Sequence, residues 1–341
     1  MTDTPQTTKQ TNNAPRLPRV CAVVLNYNGI RHNSRCLHSL LGQDYPALHV
    51  LFVDNGSTDD SLSLVKNEFG SQLEYLENNE NLYFAAGNNR GIRHALKAGF
   101  EYVFIVNNDT ELETSCITEL TTFMQNHPAA GGCQPLIHQL DEARSHLVAS
   151  AGVRISLSGR CWDAGTGRPV TTFGSHHREV SGITGGGMFL SDKALYETCG
   201  FDESYVMYFE DVDISFRLRK AGYTLHLVPT ARMGHRVAAT SNEFVPLLRI
   251  SLCETNSYRL IQTHFPSSLR LRSLLASCGF TLGSTAASIL KGDLRKACSL
   301  LQGGWQGVKL VWQSFFTPQT AQSNDKLIDS IEQDIWFPPK N

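Results

Sequence analysis

Three short apolar runs, each closed by a cluster of asparagine, aspartate and small residues, constrain this chain more than any other feature. Val20 to Leu25 comes first, then Val50-Leu51-Phe52-Val53, then Tyr102-Val103-Phe104-Ile105-Val106. Leu37, Leu40 and Leu41 recur at helical spacing between the first two, and further helices are expected over about Ser57 to Phe69 and Ala85 to Ala98. Strand and helix alternating in this way predict an α/β fold with a mainly parallel sheet, because each crossover between parallel strands lays a helix on a face of the sheet. Such sheets bind ligands outside the carboxyl ends of their strands. The residues there are Asn26-Tyr27-Asn28, Asp54-Asn55-Gly56-Ser57 and Asn107-Asn108-Asp109. Any one cluster could be a turn or a helix cap. Three at one edge of one sheet point to a ligand, and a nucleotide suits their side chains.

The middle of the chain, about 130 to 200, is irregular and glycine-rich and ends in Gly185-Gly186-Gly187 before the apolar Met188-Phe189-Leu190. Consecutive glycines imply close backbone approach to a ligand or another strand. They do not form a G-x-x-x-x-G-K-[ST] phosphate loop, and Gly87-Asn88-Asn89-Arg90-Gly91 is not a dinucleotide fingerprint. Tyr208 to Gly222 reads as an amphipathic helix with Glu210, Asp211 and Asp213 near its start, cations near its end and Gly222 as its stop. Asp213 is expected to pair with Arg217, four residues on.

The chain of 341 residues, 41% hydrophobic and 18% charged, can bury a core for one large domain with an appendage. Residues 1–19 read as a disordered lead-in without a signal-peptide core. Nine cysteines without a C-x-x-C pair point to reduced thiols and a cytoplasmic protein. Formal net charge is only −2, but residues 245–316 carry eight Lys and Arg against Glu254 and Asp293. This basic, helical stretch contains the semi-apolar Leu274 to Leu290 and Cys298 to Phe316, ahead of a polar tail at 317–341. Leu274 to Leu290 is short and weakly apolar for a spanning helix, so lying on an anionic membrane is expected rather than crossing it. No nucleic-acid partner is expected.

Taken together, Val23 to Asn28, Val53 to Asp59, Asn79 to Gly91, Asn107 to Thr110, Gly185 to Leu190 and Phe201-Asp202-Glu203 through Asp213 resemble, in order and spacing, the inverting glycosyltransferase family 2 of GT-A fold, and within it a rhamnosyltransferase-like branch. The resemblance covers about residues 20–240 and implies a catalytic domain at 20–244. It implies a nucleoside diphosphate sugar donor, dTDP-rhamnose first among candidates, and a glycan or lipid-linked glycan acceptor. The D-x-D-like motif falls on Asn107-Asn108-Asp109, which implies Asp109 as ligand to Mn2+ or Mg2+ and Asn108 at the ribose or diphosphate. His235 matches a histidine that completes the metal or diphosphate site, and an imidazole ligand favours manganese. Asp211 corresponds to the general base, with its neighbour Glu210 as the alternative. Leu25, Tyr27, Asp54 and Asn55 are implied around the base of the nucleotide, with Arg90 and Gly186 also on the donor side. The competing readings are a catalytically silent nucleotide-sugar or glycan-binding protein and a nucleotidyltransferase. The second would need a basic glycine-rich loop near the first strand, where the chain has Asn26-Tyr27-Asn28-Gly29.

Overall fold

The computed structural model describes residues 16–141, 143–236, 246–314 and 331; expectations for the first fifteen residues and, Ile331 apart, for the polar tail lie outside them. The N-terminal half alternates as expected. β1 (Val20–Asn26) lies parallel between β2 (Leu48–Asp54) and β4 (Tyr102–Asn107), and β3 (Glu74–Glu77) extends the sheet beside β2. Helices α1 (Asn33–Leu41), α2 (Ser61–Phe69) and α3 (Tyr83–Lys97) make the crossovers. α2 starts four residues later than expected, because Asn28 Oδ1 takes the Thr58 N–H and Asp59 Oδ1 takes the Ser61 N–H, holding residues 57–60 in a turn.

β1 shows why a central strand reads as a solid apolar run. Val20, Ala22 and Val24 point into a cluster with Phe52, Phe104 and Phe189, whereas Cys21 and Val23 point into another with Leu51, Val53 and Ile105. Side chains alternate with period two, and here both faces are covered. α3 comes very close to one of them. A Cβ on Gly91 would lie 2.4 Å from Val23 Cγ1, and one on Gly87 2.8 Å from Leu25 Cδ1. Two glycines inside a helix cost about 1 kcal/mol each in propensity, and the close contact of helix and strand is what they permit.

The second half completes a mixed sheet. Its elements are β5 (Thr110–Leu112), α4 (Cys116–Asn126), β6 (Ala130–Gln139), β7 (Val148–Ser150), β8 (Val153–Ile155), β9 (Cys161–Asp163), β10 (Arg178–Glu179), β11 (Gly187–Ser191), α5 (Asp192–Thr198), α6 (Glu210–Lys220) and β12 (Thr224–His235). The strand order is β10-β12-β6-β11-β4-β1-β2-β3, with β11 antiparallel to both neighbours and β12 parallel to β6. The departure from a mainly parallel sheet thus falls in the glycine-rich stretch. β8 and β9 form a separate hairpin.

Three helices follow: α7 (Pro246–His264), α8 (Ser267–Leu290) and α9 (Leu294–Ser314). α7 packs against α6 and β8. Its Leu260 and Ile261, with Phe265, form one core with Val153 and Ile155 of β8, Val212 and Phe216 of α6, and Ile331. Two buried ionic networks fasten the same junction. Asp213 takes a bond from Arg217 Nε at 2.7 Å, as expected, and lies 2.7 Å from His264 Nε2 on α7. Arg160, after β8, pairs with Glu254 of α7 and donates to Ser277 Oγ of α8.

Candidate active site

The parallel registers bring the carboxyl ends of β1, β2 and β4 to one edge, with Asn26 beside Asp54 and Leu25 beside Asn107. Asn26 is wholly buried and acts as a hub. Its Nδ2 faces Asp54 Oδ1, Ser57 Oγ and Ser61 Oγ, while its Oδ1 accepts from Gly29 N, Asn33 Nδ2 and Asn108 Nδ2. Asn26 therefore ties three loops together and has no group left for a ligand.

Asp54 and Asn55 also serve the loops. Asp54 is 3% exposed and accepts from Asn26 and the Ser57 N–H. Asn55 is 1% exposed; it donates to Asn81 Oδ1 and Tyr83 O and accepts from Asn78 and the Leu82 N–H. A base contact by either side chain would require one of these bonds to be exchanged. Tyr27, 39% exposed, is the ring that the β1 edge presents to solvent. Arg90 is exposed on α3, one turn beyond Gly87 and away from the strand ends.

On the other side of β4, Asp109 and His235 come together. The strands β5 and β12 pair Thr110 with His235, and His235 Nε2 lies 3.1 Å from the buried Asp109 Oδ1. That oxygen has no aligned hydrogen bond within the protein. Burial disfavours the imidazolium, but Asp109, with Asp163 farther off, outweighs it and raises His235 above its ordinary range. This carboxylate oxygen and the imidazole nitrogen it faces could together take a divalent cation in place of the imidazole proton, with its other ligands from a diphosphate. Among the described residues no three such side chains converge, so the pair would depend on those diphosphate oxygens.

Gly186 links this pair to the acids of α6. Its carbonyl accepts from Asn107 N, and a Cβ on it would meet Asn107 Nδ2 and His235 Cε1 at 3.7 and 3.8 Å. The neighbouring Gly185 N–H donates to Asp211 Oδ2 at 2.9 Å, and Asp211 Oδ1 accepts from Val212 N. Burial raises the Asp211 carboxyl above the usual carboxylate range, while these N–H groups oppose it. Glu210 is 6% exposed, its Oε2 finds no partner, and burial with the adjacent Asp211 charge pushes it well up. The two acids are thus set apart by geometry: Glu210 is buried with an unpartnered Oε2, whereas Asp211 faces the glycine turn at a helix N-terminus, where N–H groups favour its ionised form.

The turn that delivers them is strained. Val206, Tyr208 and Phe209 all have positive φ, at 66°, 68° and 73°, a region that L side chains rarely adopt. Asn256 of α7 holds it, donating from Nδ2 to the carbonyls of Tyr205, Met207 and Tyr208 at 3.2, 3.2 and 2.9 Å. Asn256→Ala is therefore expected to lower kcat about tenfold to a hundredfold, with a smaller change in donor KM, since a slight displacement of a catalytic group has effects of that size. Steady-state kinetics of the purified variant check it.

Two members of the site were not anticipated. Asn256 gives no sequence signal, lying 45 or more residues from the turn it holds. Asp163 ends β9 in the irregular middle stretch. It is exposed, and its carboxylate lies within electrostatic range of both Asp211 and His235. No periodicity there could have singled it out.

The family model described as glycosyl transferase family 2 matches residues 21–158, and that described as glycosyl transferase family group 2 matches residues 102–274, about half of the chain. An N-acetylglucosaminyl-diphospho-decaprenol L-rhamnosyltransferase of Mycobacterium tuberculosis is 29% identical over 235 residues, covering 63% of this chain and 75% of that protein. A low-salt glycan biosynthesis hexosyltransferase, Agl10 of Haloferax volcanii, is 20% identical over 226 residues, covering 64% and 68%. Among solved structures, GalNAc-T7 with UDP, GalNAc and Mn2+ superposes with a TM-score of 0.57 at 15% identity, over 73% of this chain and about half (51%) of that one. The mannosyltransferase PcManGT from Pyrobaculum calidifontis, in complex with GDP-Man and Mn2+, gives 0.54 at 16% identity over 86% and 88%. At these identities the structural likeness is one of fold.

Proposed function

The chain belongs to glycosyl transferase family group 2 and has the GT-A fold, and on that premise we propose that it is a metal-dependent, inverting hexosyltransferase with Asp211 as general base. The observation that carries the proposal is the placement of Asp211 and of the Asp109–His235 pair on either side of the Gly185-Gly186 turn. Asp109 and His235 would hold a divalent cation, Mn2+ in the first instance. When bound, that ion neutralises charge growing on the leaving diphosphate. Asn108 and the backbone around Gly186 line the donor side, and Tyr27 stacks on the base of the nucleotide. Asp211 takes the proton from an acceptor hydroxyl that attacks the anomeric carbon on the face opposite the diphosphate. One base and no covalent intermediate give inversion, by the geometric logic of single-displacement glycoside chemistry.

The donor in this reading is dTDP-rhamnose, and the acceptor a polyprenyl-diphosphate-linked sugar, on the likeness to the mycobacterial rhamnosyltransferase. In this reading the protein works in the cytoplasm, peripheral to the inner face of the cytoplasmic membrane, where such an acceptor would be met. Purified protein, given dTDP- or UDP-sugars and a polyprenyl-diphosphate N-acetylglucosamine, should add one sugar, with an anomeric configuration opposite to the donor's by NMR. Retention of configuration, or pyrophosphate release from a sugar phosphate and a nucleoside triphosphate, would overturn it.

A further inference from the structure

α8 and α9 are amphipathic with their polarity reversed. In a helix lying on a soluble core the apolar stripe faces inward. In α8 the buried positions include Ser273, Ser277, Thr281, Thr285 and Ser288, while Leu271, Leu275, Leu282 and Ile289 are 70%, 65%, 64% and 51% exposed. At about 100° per residue these four apolar positions fall within about 40° of one another on the helix. α9 repeats the arrangement. Its outward row is Leu294, Leu301, Trp305, Val308 and Trp312, with the two tryptophans 73% and 66% exposed.

The inward face of α9 carries glycines. A Cβ on Gly303 would lie 2.5 Å from Ser251 O, on Gly304 2.7 Å from Thr281 Cγ2, and on Gly307 2.4 Å from Tyr258 Cδ2. Small and hydroxyl residues between helices, with large apolar ones outside, are the pattern of helices whose outer surroundings are lipid rather than water. Charge is complementary to the same occupant. Residues 267–314 contain six Lys and Arg against Asp293 alone. Lys291, Arg295 and Lys296 are exposed at the tip between the helices, beside Leu290, which is 88% exposed.

We propose that the outward Leu and Trp rows of the α8–α9 hairpin insert into the interfacial layer of an anionic bilayer, with the tip cations on lipid phosphates. Leu274 to Leu290 alone read as too short to span, but the helix begins seven residues earlier, at Ser267, and α8 is by length and composition apolar enough to span, with a mean hydropathy of 1.4 over its best window. Its inward face, however, is engaged by Arg160 through Ser277 and by Tyr258 through Thr281, so it stays on the catalytic domain and lies along the surface. The hairpin thereby fixes the domain against the membrane without α8 crossing it. This inference does not rest on the transfer chemistry, since vesicle binding needs neither donor nor acceptor.

The full chain is mixed with vesicles of phosphatidylcholine alone or with phosphatidylglycerol, and the bound fraction is measured by flotation. Binding is expected with the anionic vesicles, weakened but not abolished by high salt, and reduced about tenfold or more in Trp305→Ala/Trp312→Ala. Trp305 is 73% exposed and the variant leaves the inward faces of both helices intact, so its donor turnover should be kept. Failure of the wild type to float with anionic vesicles, or equal binding by the double variant, would overturn the proposal. So would a concentration-dependent dimer, abolished by the same substitutions, in place of vesicle binding.

Discussion

Asp211→Asn should lower kcat by about two to four orders of magnitude, the range in which positioned general bases act, while nucleotide binding and fold are retained. An asparagine can still accept from the Gly185 N–H that holds Asp211 now, so the loss is one of basicity. Glu210→Gln is the paired control. Because Glu210 is buried and its Oε2 meets no partner, it is closed off from an acceptor hydroxyl, and its amide should leave the rate within about one order of magnitude. The pH profile carries the same assignment. A base must be ionised, and burial raises the Asp211 carboxyl, so kcat/KM should fall as pH drops through a value above the ordinary aspartate figure of about 3.9. Equal losses in both variants, or an acid limb unchanged in Asp211→Asn, would move the role elsewhere in the cleft.

The second large effect is on stability. Asp213→Ala should destabilise the protein by about 3 kcal/mol or more, because removing one partner of a buried ionic group leaves the others without their counter-charge. Asp213 is 1% exposed and binds Arg217 and His264 together, so α6 and α7 lose their shared anchor at once. Although burial opposes ionisation of Asp213, His264 and Arg217 outweigh it and hold the carboxyl below its usual range. A lowered folded-state pKa gives stability that is present above the unfolded value, about 3.9, and lost as pH falls through the folded one. Denaturant unfolding of wild type and variant at pH 7 and in acid measures it, and the gap between them should narrow at low pH.

The parts of this molecule that were legible in advance are those where one physical period dominates. β1, β2 and β4 are buried on both faces, so their apolar runs are unbroken and their ends can be read to within a residue or two. β11 and β12 belong to the same sheet, but glycines and mixed polarity hide them, and their pairing depends on partners far along the chain. In the site, the chain could indicate Asp109, Asp211 and His235 by motif position, and the Asp213–Arg217 pair by helical spacing. It could not show that His264, fifty-one residues from Asp213, shares that pair, or that Asn256 restrains the turn before Glu210. Nor could it show that Asp54 and Asn55 bind their own loops, because the partners at Asn26, Asn78 and Asn81 arrive only with the fold. The reversed polarity of α8 is hidden for the same reason: leucines and serines alternate along it, and only packing decides which face is turned out.

Nucleoside diphosphate release tests the central claim most directly. The purified full chain is incubated with a panel of dTDP- and UDP-sugars and a lipid-linked acceptor, first after chelation and then with Mn2+ restored. The account predicts release from one donor, abolished by the chelator and recovered with the metal. Release unaffected by chelation would contradict the role given to Asp109 and His235. No release from any donor, while nucleotides still bind, would make this a silent binding protein on the same fold.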